Sequence, residues 1–249
     1  GCEIGKHEAI ASMIADIASS TYAMESSVLL AAGLADQKKS EMRVESAMCK
    51  MWGTEKAWET IDNTLQIRGG RGYETEVSLK NRGEDPIPVE RLFRDCRINM
   101  IFEGSSEIMR LILAREALDP HLKVAGAVLD SRLPIKTRLL AALKAGCHYA
   151  WWYPKQYIPS LLPFRKFNRK HRKMMRYIHN TSKKLARSLF HAMCLHGPKL
   201  DKQQLTLGRL SEIGTELYIL GSSIIRAESE DTDRSDIIDN IYINTKTKI

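Results

Sequence analysis

The sequence predicts an all-α protein, a four-helix up-down bundle followed by a second helical domain or hairpin. Three observations lead there. Apolar residues recur at helical spacing over long stretches. No window alternates with period two for long enough to suggest a sheet. The breaks are short and marked by glycine or proline, which favours antiparallel neighbours. A chain of 249 residues has room for one large domain or two small ones. The expected division is 1–119, a helical bundle, and 120–249, a basic helical extension.

The first helix is expected from about Glu8 to Leu34, with Ile10, Met13, Ile14, Ile17, Met24 and Val28 on one face and small residues filling much of the rest. Gly33 and Lys38-Lys39-Ser40 end it. The second covers about Ser40 to Ile67, with Val44, Met48, Met51, Trp52, Ala57, Trp58, Ile61 and Leu65 as its apolar face. Gly69-Gly70-Arg71-Gly72 stops it. A polar loop is expected from Tyr73 to Pro88, since Pro86 and Pro88 bar a helix through its end. A short helix over Val89–Ile101 and another over Ser105–Ala117 complete the bundle. Beyond Asp119-Pro120, helices are expected over 134–150, over 164–196 up to the stop at Gly197-Pro198, and from an N-cap at Asp201 to about Glu228. In the tail, Ile237-Ile238 and Ile241-Tyr242-Ile243 read as apolar positions without a partner.

Charge is segregated. The net charge is +8. From Ser131 to Leu200 there is no Asp or Glu but sixteen Lys and Arg, while the rest of the chain holds 22 basic and 30 acidic residues. Such segregation points to an anionic partner or a membrane surface. The stretch 164–187 is basic and amphipathic, with Phe167, Met174, Met175 and Ile178 near one face. It would suit an anionic bilayer surface, with Trp151, Trp152, Tyr153 and Tyr157 at headgroup depth. A core-facing stripe with a solvated basic face fits the same pattern. Nucleic acid is not expected as a partner, for no recognised nucleic-acid module surrounds the charge.

Five widely spaced cysteines, with no C-x-x-C pair, read as free thiols. The histidine spacing offers no metal site. The apolar runs are far too short to span a bilayer. The opening Gly1-Cys2-Glu3 lacks a signal-peptide pattern and reads like a chain entered mid-protein, which leaves any targeting segment open.

The chemistry-bearing stretch is Pro88–Arg115. Ile98, Met100, Ile101 and Phe102 deliver one carboxylate, Glu103, followed by Gly104 and by Ser105-Ser106, which can cap a new helix. Apolar neighbours would desolvate Glu103, raise its pKa and make it a better base near neutral pH. A solvated glutamate at a helix end is the competing reading.

The run I-F-E-G-S-S-E-I-M-R (101–110) resembles the motif of the acyl-CoA dehydrogenase family, aromatic-Glu-Gly-(Thr/Ser)-x-polar-I-x-R. Upstream, V-E-R-L-F-R-D-C-R-I-N is similar to the family's E-R-x-x-R-D-x-R-I pattern, and L-Q-I-R-G-G-R-G-Y to its Q-x-x-G-G-x-G-aromatic loop. I-G-K-H-E-A-I resembles the segment just after the family's Arg-x-x-Phe-Gly element. All four occur in family order within residues 1–118. The resemblance implies that Glu103 removes the proton α to a thioester while a β-hydride passes to the flavin of FAD, and that the Glu103 N–H is one donor to the thioester oxygen. It implies FAD contacts from Gln66, Gly69 and Gly70 toward a neighbouring subunit, and from Ser105 and Glu107. At Glu107 the family often has an uncharged residue. Arg94, Asp95 and Arg97 match a run read as a structural ion-pair network.

By the same resemblance, the substrate is a fatty acyl-CoA, the acceptor resembles an electron-transfer flavoprotein, and the assembly is a homodimer. Location would be cytoplasmic in a bacterium or mitochondrial, with peripheral membrane contact. The family's N-terminal helical and central β domains are not in this sequence, so the chain by itself is expected to bind flavin weakly and to be inactive. The extension past 119 resembles that of the very-long-chain branch. The competing function is a non-catalytic helical module for a membrane or protein partner.

Overall fold

A computed structural model describes residues 2–37, 41–159, 167–230 and 232–249. Among the described residues there are ten α-helices and no strand. They are α1 (Glu8–Asp36), α2 (Arg43–Arg68), α3 (Gly70–Tyr73), α4 (Glu76–Asn81), α5 (Val89–Arg97), α6 (Ser106–Leu129), α7 (Ile135–Lys155), α8 (Arg169–His196), α9 (Gln204–Ser229) and α10 (Ser235–Lys248). Short 3₁₀ turns cover Ile4–Lys6, Ile98–Met100 and Gly197–Lys202. The all-α expectation holds.

The chain forms two compact units, Gly1–Met109 with Tyr218–Ile249, and Arg110–Leu217. This division differs from the boundary expected at 119. In the first unit, α1 packs on α2 and α10, and α2 packs on α5. The apolar face expected for α1 is not the buried one. Ser19, Tyr22, Ala23, Ser26 and Ser27 are buried, while Ile14, Val28 and Leu29 are exposed. The serine hydroxyls bond carbonyls of their own helix, as Ser26 Oγ does to Tyr22 O at 2.6 Å and Ser19 Oγ to Ala15 O at 2.8 Å. A small side chain with its polar atom satisfied allows close helix approach at little desolvation cost. Of the face expected for α2, Met51 and Trp52 are buried, and Ala47, not expected there, is buried with them. Trp58 meets Phe93 of α5 at 5.1 Å between ring centroids.

The tail forms a helix, α10. Ile238 and Ile241 have a partner: both are buried in α10 as it lies on α1. Asn240 Nδ2 donates to Asp16 Oδ1 at 3.0 Å and Ser19 Oγ at 2.8 Å, and Asn244 Nδ2 donates to the same Asp16 oxygen at 3.1 Å. Part of the expected 73–88 loop is also helical. Thr75 Oγ1 accepts from the Ser78 N–H at 3.3 Å and caps α4, which ends before Gly83, where φ is +75°. Residues 85–88, with both prolines, are not helical.

In the second unit, Ala114, Ala192, Met193, Leu200 and Leu207 form a core with Leu118, Tyr149, Phe190 and Leu210 against it. His121 is buried and its Nδ1 lies 3.1 Å from Tyr149 Oη. Burial holds the His121 pKa below the usual histidine range, with His148 adding to the effect. Pro120 does not end α6 but lies inside it. Packing of Leu118 and burial of His121 secure the turns on either side of the missing N–H. Asp201 is not an N-cap, since it sits within the 3₁₀ turn and α9 begins at Gln204. The start expected for α8 at 164 lies outside the described residues. Its described start is capped by Asn168 Oδ1, which accepts from the His171 N–H at 2.8 Å.

Candidate active-site turn and glycine turn

Glu103 sits in the turn between the 3₁₀ end of α5 and the start of α6. The 3₁₀ segment closes with Ile101 N–H bonded to Ile98 O at 2.8 Å and Phe102 N–H to the same oxygen at 3.1 Å. Glu103 then takes φ +53°, and Gly104 φ +91°. Among the described residues, Glu103 is the one non-glycine residue with positive φ. The conformation costs a side-chain-bearing residue about 1–2 kcal/mol. Ser105 Oγ accepts from the Ile108 N–H at 3.4 Å and Ser105 O from the Met109 N–H at 2.9 Å, which starts α6 as expected.

The Glu103 side chain is exposed. The desolvation expected from its apolar neighbours is not supplied by this chain, because Ile98 (51%), Ile101 (54%) and Phe102 (47%) are themselves exposed. Together they give the turn that carries Glu103 an exposed apolar apron. Among the described residues, no acceptor meets the Glu103 backbone N–H. The turn therefore presents a carboxylate and a backbone donor to the outside.

One residue of this turn's surroundings was not legible in the sequence. Lys50 Nζ, on α2, donates to Phe102 O at 3.1 Å and to Gly104 O. No motif marks it, and 53 positions separate it from Glu103.

The second predicted group lies at the other end of α2. Gln66, Gly69 and Gly70 are all exposed. Gly69 adopts φ +58°, ψ −138°, a region essentially reserved for glycine. Gly72 is required for another reason, since a Cβ there would lie 2.6 Å from Leu65 O. Gly70 is required by neither, for a Cβ there meets nothing within 4 Å. Sixteen residues of helix separate Lys50 from Gln66, about 24 Å at 1.5 Å per residue. The chain thus keeps the two predicted groups apart. Glu107 is exposed on the first turn of α6. Arg94 pairs with the half-buried Glu90 at 3.2 Å, and Asp95 with Arg91 at 3.5 Å, an exposed pair along α5 that contributes little to stability. Arg97 is exposed.

Residues 1–118 match the family model described as acyl-CoA dehydrogenase, C-terminal domain. A protein of Mycobacterium tuberculosis named probable acyl-CoA dehydrogenase FadE10 is 43% identical over 235 residues, 93% of this chain and 36% of its own length. The chain belongs to the acyl-CoA dehydrogenase family. Its solved neighbours include an acyl-CoA dehydrogenase complexed with FAD from Bacillus anthracis, with TM-score 0.68 and 25% identity, covering 99% of this chain and 41% of that one. The mitochondrial very long-chain specific acyl-CoA dehydrogenase of Bos taurus is 35% identical over 114 residues, 45% of this chain and 16% of its own length. The chain spans about a third of the length of the FadE10 relative.

Two buried polar atoms beside the predicted residues, Arg68 Nε and Ser106 Oγ, have no hydrogen-bond partner among the described residues. At Gly70 the backbone faces open space, with nothing within 4 Å of where a Cβ would stand. Both observations fit a polar, phosphate-bearing cofactor approaching from outside this chain.

The second unit bears on the membrane expectation. The apolar stripe of α8 is turned inward, with Met174, Leu189 and Met193 buried. Arg169, Arg172, Lys173 and Arg176 line a recess of about 350 Å³. It is α7, which looked loosely patterned, that exposes Ile135, Leu139, Leu140, Leu143 and Trp151. A larger apolar recess of about 620 Å³, between Leu111, Leu118, Met193 and Leu207, contains none of the predicted site residues.

Proposed function

We propose that this chain supplies the proton-abstracting carboxylate, Glu103, and part of the FAD site of an FAD-dependent dehydrogenase that forms the α,β double bond of long-chain fatty acyl-CoA. The observation that carries the reading is the turn itself. A glutamate holds a backbone conformation that favours glycine, projects into the open beside an apolar apron, and has an unengaged N–H next to it.

In this reading the Glu103 carboxylate takes the proton from the carbon α to the thioester. The Glu103 N–H donates to the thioester oxygen, where negative charge develops. Ile98, Ile101 and Phe102 cover the acyl chain and exclude water once the rest of the protein closes over them, which makes the carboxylate a stronger base. When bound, FAD supplies the hydride acceptor for the β carbon. Gln66, Gly69, Gly70, Ser105 and Glu107 would hold the cofactor. The distance between the two groups along α2 supports a homodimer in which the glycine turn serves the neighbouring subunit's FAD. The exposure of every one of these groups except the half-buried Ser105 also supports a chain that is inactive and weakly flavin-binding alone. Electrons would leave to an electron-transfer flavoprotein-like acceptor.

The exposed α7 stripe and the basic α8 terminus favour peripheral contact with an anionic membrane as an accompanying role. The apolar contribution would come from α7, and α8 would act through charge. No described helix is long and apolar enough to cross a membrane. Relatives include bacterial and mitochondrial proteins, and those two locations remain the proposal.

The experiment is acyl-CoA oxidation by the complete protein with Glu103→Gln, which keeps size and loses basicity. The expected loss in kcat is about 10²–10⁴-fold with FAD content unchanged. Retained activity would overturn the assignment.

A further inference from the structure

The Glu103 side chain makes no hydrogen bond or ion pair to this chain among the described residues. Its direction is therefore set by the backbone of the turn. That backbone has few bonds of its own: the 3₁₀ ladder ends at Phe102, and the next bond belongs to Ser105 as α6 begins. Gly104 is closed on one side by Met109, whose Cε lies 2.0 Å from where a Cβ would be. What crosses the gap is Lys50. Its ammonium takes the carbonyl before Glu103 and the carbonyl after it. A charged donor makes bonds roughly twice as strong as a neutral one. Two pinned carbonyls on either side of one residue leave its φ and ψ little freedom.

We propose that Lys50 is a positioning residue for the reaction, holding Glu103 in its left-handed conformation so that the carboxylate meets the substrate's α carbon. The proposal rests on the reading of Glu103 as the base. It differs from plain capping of the α5 end in its consequence. A cap contributes stability, whereas a positioning tether contributes to kcat through the placement of the base. Misplacement on the order of 1 Å can cost about a hundredfold in rate.

The test uses the complete flavoprotein with Lys50→Met, Lys50→Arg and Glu103→Gln in parallel. Four quantities are read: kcat and KM for acyl-CoA oxidation, bound FAD, and amide hydrogen exchange across residues 98–109. Lys50→Met is expected to lower kcat about 10–100-fold, with KM and FAD content little changed. Exchange at the bonded amides that flank the turn, Ile101, Phe102, Ile108 and Met109, is expected to rise about tenfold. Lys50→Arg, which keeps a cation and several donors, is expected to restore most of kcat and the protection. Wild-type kcat in Lys50→Met overturns the proposal, and so does unchanged exchange. Loss of kcat in step with lost FAD, without rescue by Lys50→Arg, reduces Lys50 to a structural cap and also overturns it. If Lys50→Met does not fold, Lys50→Arg decides: altered protection with wild-type kcat refutes the tether, and parallel changes in both support it. An active Glu103→Gln enzyme would sink the base reading itself. An inactive one with a fully active Lys50→Met would sink the tether alone.

Discussion

Two turns of the first unit share a left-handed backbone and differ in the residue that holds it. At the end of α2, φ is +58° and the residue is Gly69. Between α5 and α6, φ is +53° and the residue is Glu103. Gly69 is what the conformation alone selects. Glu103 is what the conformation disfavours, so something other than local folding accounts for it. The first turn is shaped by sterics, with Gly72 packed on Leu65, and the second by a tether from Lys50. A residue that works against its backbone, supported by a long-range bond, is where strain points to function.

This contrast can be broken most strongly at Glu103 itself. Glu103→Gly gives the turn the residue it favours. In the complete protein, activity is expected to fall about 10²–10⁴-fold. In the 249-residue chain, the urea midpoint is expected to stay level or rise, because relief of about 1–2 kcal/mol of strain offsets the entropy glycine adds to the unfolded chain. A clear drop in stability would mean that the glutamate serves folding. Gly69→Ala is the opposite case. It is expected to destabilise the chain by about 1–3 kcal/mol in the same denaturation assay, and an unchanged midpoint would remove the steric account of that turn. The smallest effect is expected at Gly70. Gly70→Ala should leave the chain's stability within about 0.5 kcal/mol and lower FAD content in the complete protein. Normal FAD content would leave Gly70 without a role in the cofactor site.

Much of the fold was legible, and the failures have particular causes. The α2 face was clear because Met51, Trp52 and Trp58 are large and regularly spaced. The α1 face was missed because its buried residues are serines, whose polarity hides a close-packed interface until their hydroxyls are seen bonded to their own helix. Pro120 signalled a break that packing overrides. The α8 stripe was found, but periodicity does not say whether a stripe faces a core or a membrane, and here it faces the core. Ile238 and Ile241 lacked a visible partner because the partner, α1, lies more than two hundred residues away in sequence. The same limit applies to the site. Glu103, Ser105 and Gly69 sit in ordered motifs, whereas Lys50 acts only through proximity, which a single sequence does not record. The carboxylate's exposure was missed for a third reason. Ile98, Ile101 and Phe102 adjoin it in sequence and are apolar, but they are themselves exposed, and apolar neighbours in sequence do not say which of them a fold will bury.

The most direct test of Glu103 as the base follows the α proton. The complete protein is incubated with a saturated acyl-CoA in D₂O, and deuterium at the α carbon is measured by mass spectrometry. The account predicts wash-in by the wild-type protein and a rate at least about a hundredfold lower in Glu103→Gln, with acyl-CoA binding retained. Wild-type wash-in by Glu103→Gln would contradict it.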